Sequence, residues 1–350
     1  MSQPESPHEV VAIDGFIGRG LNRPECALAH ESGLVLVPDW TGAGGVSALF
    51  PDGSVKRHLV RDDSALRPCF QTDESLRPNG ICLLPGGSIL CAHLGDEWGG
   101  VVELLPDGTA LPWLMEVNGE RLPPTNFVIC DQEGRTWITV STRLVPRARA
   151  YRRDIEDGFI VLARAGVARV VADDLGYTNE CLVHPDGHRL FVNETFARRL
   201  TRFDIGPDGS LTNRTVAASF DHGTYPDGLA FDENGDAWIT SIISNRVVRV
   251  RDSHVETLLQ DVDESHLEDV EQAYATHSLG RSHLDRAAGR QLQNVSNLAF
   301  LPGRGNQAVL GCLLGDKLAR VSMPVNGAPL PHWTSDIAPL ITALETLPEV

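Results

Sequence analysis

Short apolar stretches recur along the chain, each opened by an acid or amide and broken eight residues later by a glycine. The pairs Glu25/Gly33, Asn79/Gly87, Asn126/Gly134, Asn179/Gly187, Asp227/Gly235 and Asn297/Gly305 mark six such units. After each polar anchor apolar residues alternate, as in Cys181 and Val183 or Leu229 and Phe231. A turn built on Asp, Asn or Pro with Gly follows, and a second short strand is predicted at 34–37, 135–140, 189–192 and 236–240. A third, rich in β-branched residues, is predicted at 158–163 and 246–250, with Pro-Asp-Gly turns at 51–53, 106–108 and 207–209. Alternation with period two and frequent turn residues is the pattern of all-β proteins.

The anchors recur at intervals of 54, 47, 53, 48 and 70 residues. A period near fifty with three to four strands per unit predicts β-propeller blades. Six units predict a six-bladed propeller: one domain over 1–350, its blades starting near 23, 77, 124, 177, 225 and 294. Composition changes this picture little. The formal charge of −17 disfavours nucleic acid and anionic membrane as partners and leaves a small-molecule substrate as the expectation. No apolar run spans a bilayer, and MSQPESPHEV has neither the basic nor the apolar region of a secretory leader. Seven cysteines, an odd number without a CxxC pair, read as reduced and buried, which gives a cytoplasmic expectation. The oligomeric state is left open.

The innermost strand of a blade lines the central channel, so Glu25, Asn79, Asn126, Asn179, Asp227 and Asn297 are expected to gather at one mouth. Taken singly, an Asn there would only shape a turn. Two carboxylates are different, since a buried acid must be paired or coordinated. Oxygen donors without His or Cys suit one hard divalent cation, with calcium the first choice, magnesium or manganese alternatives and zinc disfavoured.

The stretches YTNECLVHPDGHRLFVNET and YPDGLAFDENGDAWIT resemble the fourth and fifth blades of the gluconolactonase and regucalcin (senescence marker protein) family. RPNGICLLPGGSILCAHLGD is similar to its second blade. The resemblance implies a six-bladed propeller holding a catalytic divalent ion, with Glu25, Asn179 and Asp227 as metal ligands. It also implies that Asn126 reaches the metal or the substrate. The chain departs from the family pattern at Phe127, at Glu180 and in the Pro-Glu-Cys of blade one.

Second strands return to the mouth, so Asp39, Trp40, His93, Ser141, Glu194 and Ile242 are expected on the rim. His93, which resembles a histidine at the same place in gluconolactonases, is a candidate proton shuttle. Two segments exceed the repeat. One, 141–157, carries Arg143, Arg147, Arg149, Arg152 and Arg153. The other, a helical insertion at about 254–293, places Leu267, Val270 and Tyr274 on one face. Both are expected to roof the mouth, with a substrate contact from the 274–285 stretch.

The expected function is therefore a metal-dependent carboxylic-ester hydrolase, a lactonase. Asp227 and His93 are its candidate catalytic groups, and Asn79, Asn126, Asn297, Glu194 and Trp40 its candidate substrate contacts. The alternatives are a phosphotriester hydrolase on the same scaffold, or a non-catalytic, metal-stabilised ligand-binding propeller.

Overall fold

The structure, a computed structural model, describes residues 11–70 and 74–350. The N-terminal segment read for a leader lies outside them. Six four-stranded antiparallel sheets form six propeller blades. Blade one runs from Leu28–Ala29 through Val35–Asp39 and Gly45–Leu49 to Val55–Leu59. The next four begin with Pro78–Leu83, Thr125–Cys130, Thr178–Val183 and Tyr225–Phe231. Blade six takes three strands from 295–322, and Ala12–Ile17 is its outermost strand. The ring is thus closed by pairing the start of the chain with its end.

The glycine eight residues after each anchor has a simple cause. All six, Gly33, Gly87, Gly134, Gly187, Gly235 and Gly305, have φ between 64° and 86°. That left-handed turn lets the inner strand reverse into the second, and a Cβ is disfavoured there. In blades three and five an aspartate completes the turn. Asp131 accepts from the Arg135 backbone and from the Trp137 indole at 2.7 Å; Asp232 does the same for Asp236 and Trp238. Both tryptophans are fully buried between blades.

The anchors themselves sit at bulges. The pairing of first and second strands slips between Pro78 and Ile81, Thr125 and Phe127, Thr178 and Cys181, Pro226 and Leu229, and Val295 and Asn297. A bulge breaks strict alternation and re-aims a side chain. Repeated in five blades, it sets the anchors apart from the regular ladder that follows.

Residues 254–260 form the outermost strand of blade five, so the helical insertion begins after them, later than the sequence pattern suggests. It contains α1 (Glu264–Ala275) and α2 (Arg281–Leu284). The Asp263 carboxylate caps α1 by accepting from His266 N–H. Its buried face, Leu267, Val270, Ala273 and Tyr274, is the face read from the sequence. It packs on Phe196, Tyr225, Ile242 and Ile243, at the strand ends of blades four and five nearest the anchors. A third helix, α3 (Ala338–Glu345), lies at the opposite end against Gly87. Among the described residues no helix is long and apolar enough to cross a membrane.

Candidate active site and metal centre

All six anchors are buried. The Asn79 side-chain amide donates to the Asn126 carbonyl at 2.9 Å, joining blades two and three. This leaves the Asn79 Oδ1 buried without a hydrogen-bond partner, and Asn126 Oδ1 is in the same state. Glu25 Oε2 lies 2.8 Å from Arg23 Nη2, an ion pair without hydrogen-bond alignment. Asn179 donates to Thr195 Oγ1 at 3.1 Å, and that hydroxyl donates to the Pro226 carbonyl. Asn193 donates to the carbonyls of Asp227 and Gly228, both at 3.0 Å, which pins the blade-five bulge.

Asp227 lies within electrostatic reach of both other acids. Burial holds its carboxyl well above the usual range, and the charges of Glu25 and Glu180 push the same way; Arg23 and a hydrogen bond from Asn179 oppose them. Asn297 serves the framework: its Oδ1 accepts from Ala27 N–H and its amide donates to Glu180, both at 2.9 Å.

Glu180 is the residue that sequence reasoning undervalued. It is buried, accepts from Leu229 N–H at 2.8 Å and from Asn297, and so bridges blades four, five and six. Burial pushes its pKa up to about 8 against the pull of those two donors, with the Glu25 charge adding to the rise. Its departure from the family pattern was the available signal.

The rim residues divide. Trp40 bridges blades one and two, donating its indole N–H to the Pro78 carbonyl at 2.7 Å, and Arg23 lies 4.4 Å from the ring centroid. Trp40 thereby positions the arginine that faces Glu25. His93 stacks on Phe70 with 4.6 Å between centroids, and its Nδ1 accepts from Arg77 N–H. Burial, with the Arg77 charge, lowers its pKa to about 3, so the ring is neutral. Phe70 and Arg77, its ring partners, both precede the first strand of blade two, and neither is an anchor. The Glu194 carboxylate is fully buried and taken up by Gly176 N–H, Arg199 and Thr201. It knits the strands of blade four together.

The two insertions meet over the mouth. Ala150 and Tyr151 from one, and α1, Leu284 and Ala287 from the other, share an apolar cluster with Tyr177, Phe196 and Tyr225. Arg198 lies between Tyr225 and Tyr274, about 4 Å from each ring, and pairs with Glu271 at 2.6 Å. Of the loop arginines, Arg143 forms a forked pair with Asp173 and Arg152 with Asp154. Arg147 turns inward. Burial disfavours its charge, but Tyr177, Tyr151, Glu25 and Asp227 outweigh that and hold its pKa above the ordinary value.

Glu25 and Asp227, the raised Glu180 carboxyl and amide oxygens without hydrogen-bond donors are thus buried near one another, with Arg23 paired to Glu25. The donor set is oxygen-only, and among the described residues no cluster of three or more His, Cys, Asp or Glu stands out as a metal site. A centre here would rest on amides as much as on acids. Residues 55–263 match the model of the SMP-30/gluconolactonase/LRE-like region.

The chain belongs to that family.

Solved structures repeat its propeller. A gluconolactonase from Xanthomonas campestris is 17% identical, with 92% of this chain and 99% of that one covered and a TM-score of 0.62. A luciferin-regenerating enzyme is 16% identical, covering 93% and 99% with a TM-score of 0.63. A calcium-binding regucalcin from Agrobacterium tumefaciens is 14% identical, covering 92% and 97% with a TM-score of 0.62. At such identities the likeness shows the fold alone.

Proposed function

We propose that the protein is a divalent-metal-dependent lactonase whose site is the anchor ring. The observation that carries this is the set of buried oxygens at one mouth, Glu25 Oε2, Asn79 Oδ1 and Asn126 Oδ1, that no hydrogen bond satisfies. Buried acceptors left without donors cost stability, and a hard cation resolves that cost. Glu25, Asn179 and Asp227 would hold it, with calcium the first choice and magnesium or manganese the alternatives. When bound, the ion supplies Lewis-acid polarisation of an ester carbonyl.

The chain's own groups do the rest. Asp227 orients a water and accepts its proton; the hydroxide oxygen bonds to the carbonyl carbon, the ring C–O bond breaks, and the leaving oxygen takes a proton to give a hydroxy acid. Asn79 and Asn126 orient the substrate's oxygens, and Trp40 with Arg23 forms one wall. His93, neutral and enclosed, supports this wall, and the proton work falls to Asp227. The roofing cluster around α1 limits water and substrate size.

A pH-indicator screen of sugar, aliphatic and aromatic lactones and of phosphotriesters, with and without chelator, tests the reading. Chelator-sensitive turnover of a lactone is the expected result. Turnover of phosphotriesters alone moves the activity to the second ester class, and binding without turnover makes the protein a ligand-binding propeller.

A further inference from the structure

Three arginines from separate stretches of chain lie within electrostatic reach of one another at this mouth. Arg23 precedes the blade-one anchor, Arg147 opens the turn Arg147–Ala150, and Arg281 opens α2. Ala150 and Leu284, from the same two turns, sink into the cluster with Tyr151 and Tyr177, which holds both turns over the ring. Arg23 is the most constrained. Its backbone is left-handed with φ 59°, a conformation L side chains rarely adopt. Its side chain is 9% exposed, with Nη2 on Glu25 and Nε buried without a hydrogen-bond partner. Burial lowers its pKa; Glu25 opposes that, while Arg281 and Arg147 add their repulsion.

The charges at the mouth can be matched one by one. A divalent cation answers Glu25 and Asp227, and Asp285 answers Arg281 at 2.7 Å. Arg23 then shares Glu25 with that cation, and half-buried Arg147 has no carboxylate of its own. Arg147 makes no ion pair among the described residues. Enclosed, uncompensated positive charge is costly unless an anion comes with the ligand.

We propose that Arg23 and Arg147, flanked by Tyr151 and Tyr177, form a subsite for an anionic group on the substrate. The enzyme would then prefer lactones that carry a carboxylate or phosphate to neutral ones. This rests on the hydrolase reading above and names its substrate class. A guanidinium fork matches either oxyanion through two parallel hydrogen bonds.

The test compares wild type, Arg147→Gln and Arg147→Lys on neutral glucono-1,5-lactone, on glucaro-1,4-lactone and on 6-phosphoglucono-1,5-lactone. Equilibrium titrations with glucarate and 6-phosphogluconate supply a readout independent of turnover. In wild type, kcat/KM should favour one anionic lactone over the neutral one by about tenfold or more, mainly through KM. Arg147→Gln should collapse that ratio about tenfold and weaken the matching anion's binding by a similar factor. Arg147→Lys, which keeps the charge without the fork, should retain part of both. The responding arm identifies carboxylate or phosphate. A wild-type ratio near one, or a ratio unchanged in Arg147→Gln, overturns the subsite while lactone turnover still supports the hydrolase. If no lactone is turned over, the hydrolase reading falls and the titrations decide: an anion bound by wild type and lost in Arg147→Gln sustains the subsite, and no binding ends it.

Discussion

The two ends of the central channel are built from the same six inner strands and have opposite character. At the end where those strands begin, the anchors present acids and amides, three arginines approach, and a helical insertion closes over them. At the end where they finish, a cavity of about 120 Å³ is lined mainly by apolar residues such as Phe127, Ile129, Leu182, Leu229 and Phe231. There the chain's last segment acts as a plug. Ala328 N–H donates to Phe231, Glu31 N–H to Trp333 and Gly86 N–H to Asp336, so the tail ties blades five, one and two. The far cavity is walled mostly by apolar residues, with Glu180 and Asn297 on its border toward the ring, whereas the near end keeps buried oxygens that no hydrogen bond satisfies. Cavity shape alone would direct attention to the far end, whereas unsatisfied polar atoms point to the near one, because only they require something from outside the chain.

The largest expected contrast lies within one strand. Asp227→Asn should cut kcat by about a thousandfold or more with the fold intact, since it removes a charged ligand and the base together. Leu229→Ala, two residues on in the far cavity, should cost about 2–5 kcal/mol of stability. Its kcat per folded molecule should stay within about threefold of wild type by the same scale of reasoning. Comparable kcat losses in both variants would mean the ends are not functionally separate.

Acid should act on the far end in its own way. His332 is buried there, and burial together with the His30 charge lowers its pKa to about 4. As pH falls below the free imidazole's value near 6.5, the unfolded chain binds a proton that the folded chain refuses until about pH 4. This contribution is complete above pH 6.5 and is lost across that window, amounting to up to about 3 kcal/mol. His93, lowered to about 3, adds a loss of the same sign, so the difference between wild type and His332→Gln isolates the plug. Urea melts at pH 7 and pH 4.5 should show a smaller acid loss in His332→Gln. Equal losses would remove His332 from the acid response.

A smaller effect is expected from the roof. Replacing 262–285 with a short Gly/Ser linker should raise KM about tenfold, through lost enclosure and ordering of the substrate, while the ion stays bound. Unchanged kinetics on the true substrate would reduce the insertion to a structural element.

The fold was legible because its signal is repeated: six anchors and six left-handed glycines state the blade plan six times over. The bulges that re-aim the anchors follow the same repeat, so the ring could be named residue by residue. What repeats could not convey is what varies between blades. The residues after the anchors are Cys26, Gly80, Phe127, Glu180, Gly228 and Leu298, and nothing in that series announces that Glu180 bridges three blades. The rim was legible in position and not in direction: His93 turns to Phe70 and Glu194 into its own blade. The approach of Arg23, Arg147 and Arg281 joins distant stretches of chain, and the closing strand Ala12–Ile17 likewise has meaning only once the ring is shut.

Calcium titration of chelator-treated protein tests most directly whether the near end is a cation site. Calorimetry should find one ion per chain, with binding lost in Glu25→Gln and in Asp227→Asn. Calcium at about a hundred times its dissociation constant should stabilise the fold by about 2.7 kcal/mol. Folded wild-type protein that neither binds calcium, magnesium or manganese nor gains stability from them would contradict the account.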